Sequence, residues 1–440
     1  MEIEHRGTVI DIRFPEEKVH IRAERIRDKD EYFKAELTIK AELTMGDVSR
    51  TVQLDRSNVD MLEPYDKSKL IDTLQKATEE YPYLSWGNLI TDAFNGIMDK
   101  KREGIPAEVM NELDDFTPRT YAVYPLFVRG VANLMWAPGG SAKSYFALLS
   151  CVMVDRGISE FGLRAPKGNA LYLDWEEEPD VFRQRLLAVQ RGLNIQNPET
   201  SGIYYKKMMG SLASNIEGIS RTVIDKDITY VVVDSVGAAL GGNGIDQQVV
   251  EDYFSALRIL GVTSVSIDHA NRAGETTGNW SIHGSAFKYN RSRQVYELKK
   301  IQEADSGELQ VVLYHRKSND SGNKSPRGFK VRFEMKENYN QYEDDYEKHL
   351  DKVVFETLGL GDADNELLRT MTLGEICREL IKTHGPTHID ALRSGVAIIK
   401  DNDISDDVIK RTIVNSNMLK LEGDTVTLVQ LQEEKQWDVN

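Results

Sequence analysis

The sequence predicts an α/β protein whose central domain is built on a parallel β-sheet, with a smaller domain on either side. In the middle of the chain, four apolar runs alternate with three helical patterns, and strands that alternate with helices form a parallel sheet covered on both faces. The apolar runs lie at residues 131–136, 169–174, 228–234 and 262–268, and the helical patterns at 144–156, 179–192 and 246–260. We therefore expect three domains, over residues 1–110, 111–340 and 347–440.

The composition is that of a globular protein with little capacity for disulfide or metal-cluster chemistry. Of the 440 residues, 40% are hydrophobic, and the formal net charge is −16, so any contact with nucleic acid needs a locally basic surface. Cys151 and Cys377 are the only cysteines, and their separation suits a reducing cytoplasm. The first residues lack an apolar signal-peptide core, and no stretch of about 18 apolar residues occurs, so we expect no membrane span.

Residues 1–110 predict an N-terminal α+β domain with an antiparallel sheet. Every odd position from Phe33 to Leu43 is apolar, and the even positions between them are Lys, Glu or Thr. This period of two marks a half-buried antiparallel strand. Residues 64–103 then turn to a helical pattern. Because the domain carries no recognisable catalytic motif, we expect a docking or oligomerisation module, with nucleic-acid contact as the weaker alternative.

The C-terminal region predicts three helical segments followed by a β-hairpin. The strand-like runs 418–421 and 425–429 flank a turn at Glu422-Gly423-Asp424. This combination is typical of a winged-helix-like domain, and a purely structural helical cap is the alternative. The third helix, around residues 405–416, carries Lys410 and Arg411, which we predict to contact DNA.

A Gly-rich turn between the first central strand and its helix carries the clearest chemical signal. The sequence there reads Ala137-Pro-Gly-Gly-Ser-Ala-Lys-Ser144. A loop of this kind cradles phosphates with its backbone N–H groups. Lys143 is expected to reach the β- and γ-phosphates, and the Ser144 hydroxyl to bind Mg²⁺. The predicted nucleotide-binding residues are Pro138, Gly139, Gly140, Ser141, Ala142, Lys143, Ser144 and Tyr145.

The loop departs from the pattern G-x-x-x-x-G-K-[ST] at both of its glycines. Ala137 and Ala142 stand at those positions, while Gly139 and Gly140 still supply a flexible turn. Ala142 is the more consequential change, because its Cβ is expected close to a bound phosphate. The alternative is an ordinary strand–turn–helix with no ligand.

Ionisable residues follow the other three central strands. Asp234 ends the third apolar run, and we expect it to hold the hydration shell of Mg²⁺. An acidic cluster follows the second run, and within it Glu176 is the candidate base that polarises the attacking water. The fourth run ends in Asp268-His269. His269 is a candidate sensor of the γ-phosphate, with a structural histidine as the alternative. The carboxyl ends of parallel strands bind ligands, so these residues should meet.

Two arginines further along the chain suggest a contact with a neighbouring subunit. Arg291 and Arg293 are two positions apart, so on a strand their side chains are expected to point in opposite directions. One of them is a candidate arginine finger, which neutralises transition-state charge in the site of the next subunit. They belong to a stretch, residues 283–332, with 11 Lys and Arg against 5 Asp and Glu, which supplies a locally basic surface.

The order, spacing and residue types of these motifs resemble those of the RecA-like hexameric ATPases, over roughly residues 115–335. The resemblance is closest to plasmid replicative helicases of the RepA type and their phage relatives. It implies a RecA-like parallel-sheet P-loop ATPase core. It places the phosphate-loop lysine on Lys143, the Mg²⁺-binding hydroxyl on Ser144, the catalytic glutamate of a Leu-x-x-Glu motif on Glu176 and the second-motif aspartate on Asp234.

Two further family motifs are only partly kept. The family's His-His pair reads Asp268-His269 here, so only the second histidine is retained. Its Arg-Gly-Ser-Ser motif begins at His283, and counting on from there the arginine finger falls on Arg293, with Arg291 as the alternative.

In this family the loops after the third and fourth core strands line the central channel of a ring. Here those loops are residues 237–247 and 271–281. The second contains Arg272, Asn279 and Trp280, which suit tracking of a phosphate backbone and stacking of bases on single strands. A plain surface loop is the alternative.

The resemblance therefore implies ATP and Mg²⁺ as cofactors and a homo-oligomer in the form of a hexameric ring. It also implies single-stranded DNA and other replication proteins as partners. The implied activity is that of a replicative DNA helicase of a phage, plasmid or mobile element. One alternative is a RecA-like ATPase that acts as a recombination mediator, helicase loader or origin-binding initiator without unwinding. Another is an ATP-dependent regulator, which the acidic charge and the altered phosphate loop favour.

Overall fold

The computed structural model describes most of the chain. The described residues are 1–45, 48–104, 107, 119–196, 201–271, 282, 286–301, 308–319, 324, 326–340, 345–358, 371–416 and 418–429. No helix among them is both long and apolar enough to cross a membrane.

The N-terminal domain is a five-stranded antiparallel sheet with two helices. The strands, in spatial as well as chain order, are β1 (Glu2–Arg6), β2 (Val9–Phe14), β3 (Val19–Lys29), β4 (Tyr32–Met45) and β5 (Val48–Asp60). The helices are α1 (Pro64–Ala77) and α2 (Trp86–Glu103). The odd positions of β4 from Phe33 to Ala41 are buried against these helices. The alternation in the sequence therefore identified the core face of this strand.

The central domain is a nine-stranded mixed sheet, in the order β12-β11-β13-β14-β8-β15-β16-β17-β18. The first six strands of this order are parallel, and the last three pairings are antiparallel. The strands are β8 (Ala132–Ala137), β11 (Asn169–Asp174), β12 (Ile203–Lys207), β13 (Ile228–Asp234), β14 (Thr263–His269), β15 (Gln294–Ile301), β16 (Glu308–Ser318), β17 (Arg327–Asn340) and β18 (Asp345–Leu358). Two small hairpins are β6 (Tyr121–Val123) with β7 (Phe127–Val128) and β9 (Ser159–Glu160) with β10 (Leu163–Arg164).

Helices cover both faces of this sheet, as the predicted α/β class requires. They are α3 (Lys143–Arg156), α4 (Pro179–Gly192), α5 (Ile216–Asp225), α6 (Val236–Ala239), α7 (Gln247–Leu260) and α8 (Ala286–Arg291). Residues of α3 and α4 belong to one apolar cluster, and residues of α5 and α7 to a second. Successive side chains of β8 divide between them, since Met135 joins the first cluster and Trp136 the second.

The antiparallel edge of the sheet extends beyond the predicted end of the core. Residue 347, where we expected the C-terminal domain to begin, lies inside β18, which pairs with β17 along its length. The sequence did not indicate this strand, because the acidic residues at its start are typical of a linker. Along the pair, opposite charges meet across the strands, as in Lys348 with Glu337 and Arg332 with Glu356. The pairing of two polar strands thus decided the domain boundary.

The C-terminal domain has three helices and a three-stranded sheet. The helices are α9 (Leu373–His384), α10 (Ile389–Lys400) and α11 (Asp406–Val414), and the strands are β19 (Thr387–His388), β20 (Leu419–Glu422) and β21 (Thr425–Leu428), in the order β19-β21-β20. Thr372 and Glu375 begin α9 with a capping box. The domain shares its apolar core with Val312 and Tyr314 of β16, so it packs directly on the central sheet.

Ion pairs join the N-terminal sheet to the central domain. Arg221 of α5 donates to both carboxylate oxygens of Glu24, with both distances 2.5 Å. Arg22 donates to Asp11 in its own domain at 2.9 Å and to Asp225 of α5 at 2.5 Å. The tight turn at Gly7 also lies close to α5, since a Cβ there would stand 3.0 Å from Ser220 Oγ. Helix α5 is therefore the docking surface for the N-terminal domain.

Candidate active site

Four strand ends converge at one edge of the central sheet. The register of the parallel strands sets Asp174 of β11 beside Asp234 of β13. It also sets Asp268 and His269 of β14 beside the last two residues of β8. The phosphate loop follows directly from β8. The predicted site residues of the four strands are therefore brought together, as expected for carboxyl ends of a parallel sheet.

The phosphate loop is closed on itself by two of its own side chains. The Lys143 ammonium donates hydrogen bonds to the carbonyl oxygens of Ala137 at 3.0 Å and Pro138 at 2.8 Å. The buried Ser141 hydroxyl donates to the same Pro138 oxygen at 2.7 Å. Burial lowers the pKa of Lys143, and the nearby carboxylate of Asp234 opposes that shift. A lysine held at the loop and beside carboxylates is placed to meet an anion there.

The two alanines that replace glycine in the loop have different backbone conformations. Ala142 is left-handed, with φ 57° and ψ 24°, a conformation that costs a non-glycine residue about 1 kcal/mol. Ala137 is the last residue of β8 and is fully buried. Only position 142 therefore requires what glycine supplies, and strain of this kind is often kept at functional sites.

Asp234 is the centre of the candidate Mg²⁺ site. Its Oδ2 accepts hydrogen bonds from Ser144 Oγ at 2.8 Å and from the Tyr172 hydroxyl at 2.6 Å. Burial raises the pKa of Asp234, and these two donors oppose that rise. The Ser144 hydroxyl and the Asp234 carboxylate are the hard oxygen donors that Mg²⁺ takes. Tyr172 was not predicted, although a tyrosine inside an apolar strand needs a partner for its hydroxyl.

A Mg²⁺ ion at this site would depend on few protein ligands. Within the described part of the chain, no group of three or more His, Cys, Asp or Glu side chains is placed to hold a metal ion. Mg²⁺ commonly takes one or two protein ligands and completes its shell with water and substrate phosphate. The pair Ser144 and Asp234 fits that mode of binding.

Glu176 is held in position by side chains from two other strand ends. Its Oε1 accepts from Ser235 Oγ at 2.5 Å and lies 3.3 Å from His269 Nε2. The hydrogen bond with His269 is the largest cause that lowers the pKa of Glu176 to about 2. The buried Asp174, which we had not singled out, accepts from the backbone N–H of Glu176 at 2.9 Å. Glu176 is therefore an oriented, half-exposed carboxylate beside the phosphate loop.

A buried ion pair lies behind His269. The Lys288 ammonium is 2.9 Å from Asp268 Oδ2, and both side chains are at most 2% exposed. Asp268 Oδ1 also accepts from the backbone N–H of His269 at 2.9 Å. Burial raises the pKa of Asp268, and Lys288 opposes that rise. By the resemblance, Asp268 stands where the family has the first histidine of its pair. In the structure Asp268 is the ion-pair partner of Lys288, a lysine that the sequence analysis did not single out.

The remaining phosphate-loop residue, Tyr145, faces the core with its side chain. Its ring packs edge-on against Phe333 with centroids 5.2 Å apart, and the Arg185 guanidinium lies over it. Of its neighbours in the loop, Gly139 has open space around its Cα, and Gly140 is left-handed with φ 65°. The ring of Tyr145 is therefore engaged in packing, and only the backbone of this residue borders the phosphate loop.

The two candidate arginine fingers lie in different settings. Arg291 ends helix α8 and forms an ion pair with Glu251, so the expectation that both arginines lie on one strand was wrong. Lys288 of the same helix is buried and paired with Asp268. Arg293 precedes β15, is exposed, and binds the carbonyl oxygen of Ala132 through its backbone N–H at 3.0 Å. It lies at the sheet edge opposite the phosphate loop.

The predicted nucleic-acid contacts divide between described and undescribed residues. Lys410 and Arg411 are exposed on α11, whose first turn carries Asp406 and Asp407. Arg272, Asn279 and Trp280 lie outside the described residues.

We expect the two alanines of the loop to respond oppositely to glycine. Ala142→Gly should raise the free energy of unfolding by up to about 1 kcal/mol, because it relieves a left-handed backbone. Ala137→Gly should lower it by about 1 kcal/mol, because glycine weakens a buried strand. Urea unfolding followed by tryptophan fluorescence measures both. Equal losses in the two variants would mean that position 142 is not strained.

Part of the central region is similar to a known protein family. Residues 100–275 match the family model described as an AAA domain, and this stretch contains Lys143, Glu176, Asp234 and His269. No curated protein sequence matches the chain. Among solved structures, a crystal structure of a KaiC-like protein from the hyperthermophilic archaeon Pyrococcus horikoshii OT3 is similar at 15% sequence identity. That comparison covers 54% of this chain and 99% of the other, with a TM-score of 0.37. The AAA domain match and the phosphate loop at the edge of the parallel sheet both support a P-loop ATPase core in the central domain.

Proposed function

We propose that this protein is an ATP-hydrolysing motor that assembles as a ring and acts on single-stranded DNA. Its closest functional counterparts would be the replicative DNA helicases of phages, plasmids and mobile elements. The observation that carries the proposal is the contact between Glu176 and His269. It joins the candidate base at the phosphate loop to the start of the segment that holds the predicted DNA contacts.

The residues at the strand ends supply what ATP hydrolysis needs. The loop N–H groups and Lys143 would hold the phosphates, and Ser144 with Asp234 would hold Mg²⁺. Bound Mg²⁺ supplies positive charge that neutralises the phosphates. Glu176 would accept the proton of the attacking water. With its pKa lowered to about 2, mainly by His269, this carboxylate is ionised and able to accept a proton at neutral pH.

The buried ion pair suggests how the site communicates with DNA. Asp268 lies just before the segment 269–287, and Lys288 just after it, and their 2.9 Å contact ties the two ends together. His269 lies between this pair and Glu176. A rearrangement of Glu176 on nucleotide binding would therefore reach the first residue of the segment while its ends stay joined. Arg272, Asn279 and Trp280 in this segment are the proposed contacts with single-stranded DNA.

The position of Arg293 favours a site shared between subunits. Arg293 lies beside Ala132, and the phosphate loop begins after Ala137, about 16 Å further along the strand. Its side chain cannot span that distance, so the nucleotide within its reach would be that of a neighbouring subunit. Arg293 also lines a cleft of about 410 Å³ together with Arg258 and Arg291. This cationic cleft suits an anionic group on a second copy of the chain.

A loader or regulator that does not unwind DNA is the second candidate. We propose a winged-helix-like fold for the C-terminal domain, in which α11 would be the recognition helix. Such helices read bases with their N-terminal residues, but Asp406 and Asp407 occupy that turn of α11 and would repel phosphate. Lys410 and Arg411 remain the candidate DNA contacts. The acidic turn favours a protein partner, such as another cytoplasmic replication protein.

The first test is the ATPase rate with and without single-stranded DNA, on protein whose oligomeric state is measured in parallel by mass photometry. We expect a ring of several subunits whose hydrolysis is stimulated by DNA and abolished by Lys143→Ala. Strand displacement from a forked duplex would then distinguish a helicase from a loader. A slow ATPase rate that single-stranded DNA does not change, measured on a monomer or dimer, would contradict the proposal of a motor.

We expect His269 to control the pH dependence of hydrolysis. In His269→Ala the main cause that lowers the pKa of Glu176 is lost, so that pKa should rise toward its ordinary value. The acid limb of the kcat/KM profile should then move to higher pH, because Glu176 must be ionised to act as a base. The ionisation of ATP is common to both profiles and cancels in the comparison. His384→Ala, an exposed histidine of α9, is the control, and an unmoved limb in His269→Ala would contradict the assignment.

We expect Arg293→Ala to lose about 10³-fold in hydrolysis while ATP affinity is kept. Arg102→Ala is the control, because Arg102 is an exposed arginine of α2 that pairs with Asp28 inside the N-terminal domain and should change hydrolysis little.

Mixing subunits tests whether Arg293 acts across an interface. When Arg293→Ala and Lys143→Ala subunits are mixed in equal amounts, roughly a quarter of the interfaces in a random ring pair an intact loop with an intact finger. Partial recovery of hydrolysis is therefore expected from two inactive variants. No recovery would show that Arg293 does not serve the neighbouring site.

A further inference from the structure

A second lysine, Lys300, lies at the phosphate loop. Strand β15 runs parallel to β8 as far as the pair Glu297 and Trp136 and then continues to residue 301 beside the loop that leaves β8. The Lys300 ammonium stands 3.3 Å from the place that a Cβ on Gly140 would occupy. Lys300 lies 163 positions after Ala137, the last residue of β8. No local sequence motif therefore links Lys300 to the phosphate loop.

The alternation of β15 directs Lys300 to the loop side of the sheet. Leu298 and Tyr296, two and four positions earlier, belong to the apolar cluster that contains α3, so Lys300 lies on the same face as the helix that starts at the loop. Its neighbour Lys299 lies on the other face. There the Lys299 ammonium is 4.0 Å from Glu297 and over the ring of Tyr314. The two adjacent lysines therefore have separate environments.

The ammonium groups of Lys143 and Lys300 both lie at the phosphate loop. Lys143 is already hydrogen-bonded to two loop carbonyls. Within the described part of the chain, no carboxylate forms an ion pair with Lys300, and its side chain is exposed. Lys300 also acts on Lys143, since it adds to the lowering of the Lys143 pKa that burial causes. An anion bound at the loop would relieve the repulsion between the two cations.

Gly140 keeps the space between Lys300 and the loop open. Its backbone is left-handed, with φ 65°, and a Cβ would lie tight against the ammonium. Gly139 beside it has no heavy atom within 4 Å of the place for a Cβ. The two glycines thus leave no side chain between the Lys300 ammonium and this part of the loop backbone, whose N–H groups are the kind that bind phosphate.

We propose that Lys300 is a second phosphate-binding cation of the nucleotide site, supplied by the same subunit as Lys143. The inference rests on the proposed binding of ATP at this loop. It adds a residue from β15, the strand adjacent to β8, to the residues that the sequence motifs identify. Because ATP carries more negative charge than ADP, a second cation favours the triphosphate. Lys300 would therefore contribute to the preference of the site for ATP over ADP.

Binding measured by calorimetry tests this proposal without depending on hydrolysis. Lys300→Ala should weaken ATP binding about tenfold, in line with the loss of one charge-assisted contact, and ADP binding by less. Lys300→Arg keeps the charge and should stay close to the wild type. Lys299→Ala is the matched control, one position away on the opposite face, and should leave both affinities unchanged. The affinity of Lys300→Ala for ATP should also depend less on salt, because one ionic contact is gone.

The outcomes separate this inference from the proposed function. If the wild type binds ATP, Lys143→Ala weakens binding and Lys300→Ala does not, Lys300 is not a phosphate ligand, although the site stands. An equal loss for ATP and ADP with an unchanged salt dependence would also overturn the proposal, because it would mark a structural effect. If the wild type binds no nucleotide, both the inference and the proposed function fail. Circular dichroism of each variant establishes that the exposed substitution leaves the fold intact.

Discussion

The candidate site depends on the hydrogen bonds that the buried carboxylate of Asp234 accepts. A carboxylate at this depth is costly unless its oxygens are hydrogen-bonded or neutralised. Ser144 from the phosphate-loop helix and Tyr172 from the neighbouring strand both donate to one oxygen of Asp234. This single group therefore joins β13, β11 and α3. The cost of its burial, visible in its raised pKa, is the reason that a hard cation is expected at the same place.

The charged groups around Asp234 form a connected arrangement that no single motif describes. On one side, Glu176 meets His269, and behind His269 the buried pair of Asp268 and Lys288 closes the segment that follows β14. Lys300 borders the loop from the adjacent strand. The contacts link the site to its surroundings through hydrogen bonds and ion pairs, which are directional and sensitive to charge. Because these contacts are between charged groups, their strength depends on the charge of any group bound beside them.

The terminal domains attach to the central domain by different physical means. The N-terminal sheet meets α5 through ion pairs of Arg221 with Glu24 and Arg22 with Asp225. The C-terminal domain instead shares an apolar core with β16. Apolar burial is largely insensitive to salt, whereas partly exposed ion pairs weaken as ionic strength rises. The central sheet therefore has one electrostatic and one hydrophobic attachment.

The sequence by itself predicted the parallel core, the core face of β4, and the convergence of Lys143, Ser144, Glu176, Asp234 and His269 at one edge of the sheet. Those features follow from periodicity and from the rule that strand ends share an edge, both of which are local or nearly local in the chain. Only the tertiary structure decided that Lys288 pairs with Asp268, that Lys300 reaches the loop and that β18 belongs to the core. Each of these depends on strands or helices that are distant in sequence and adjacent in space. The sequence around a single lysine or an acidic strand does not predict which residue or strand it will pair with. That partner is set by strand register and by burial.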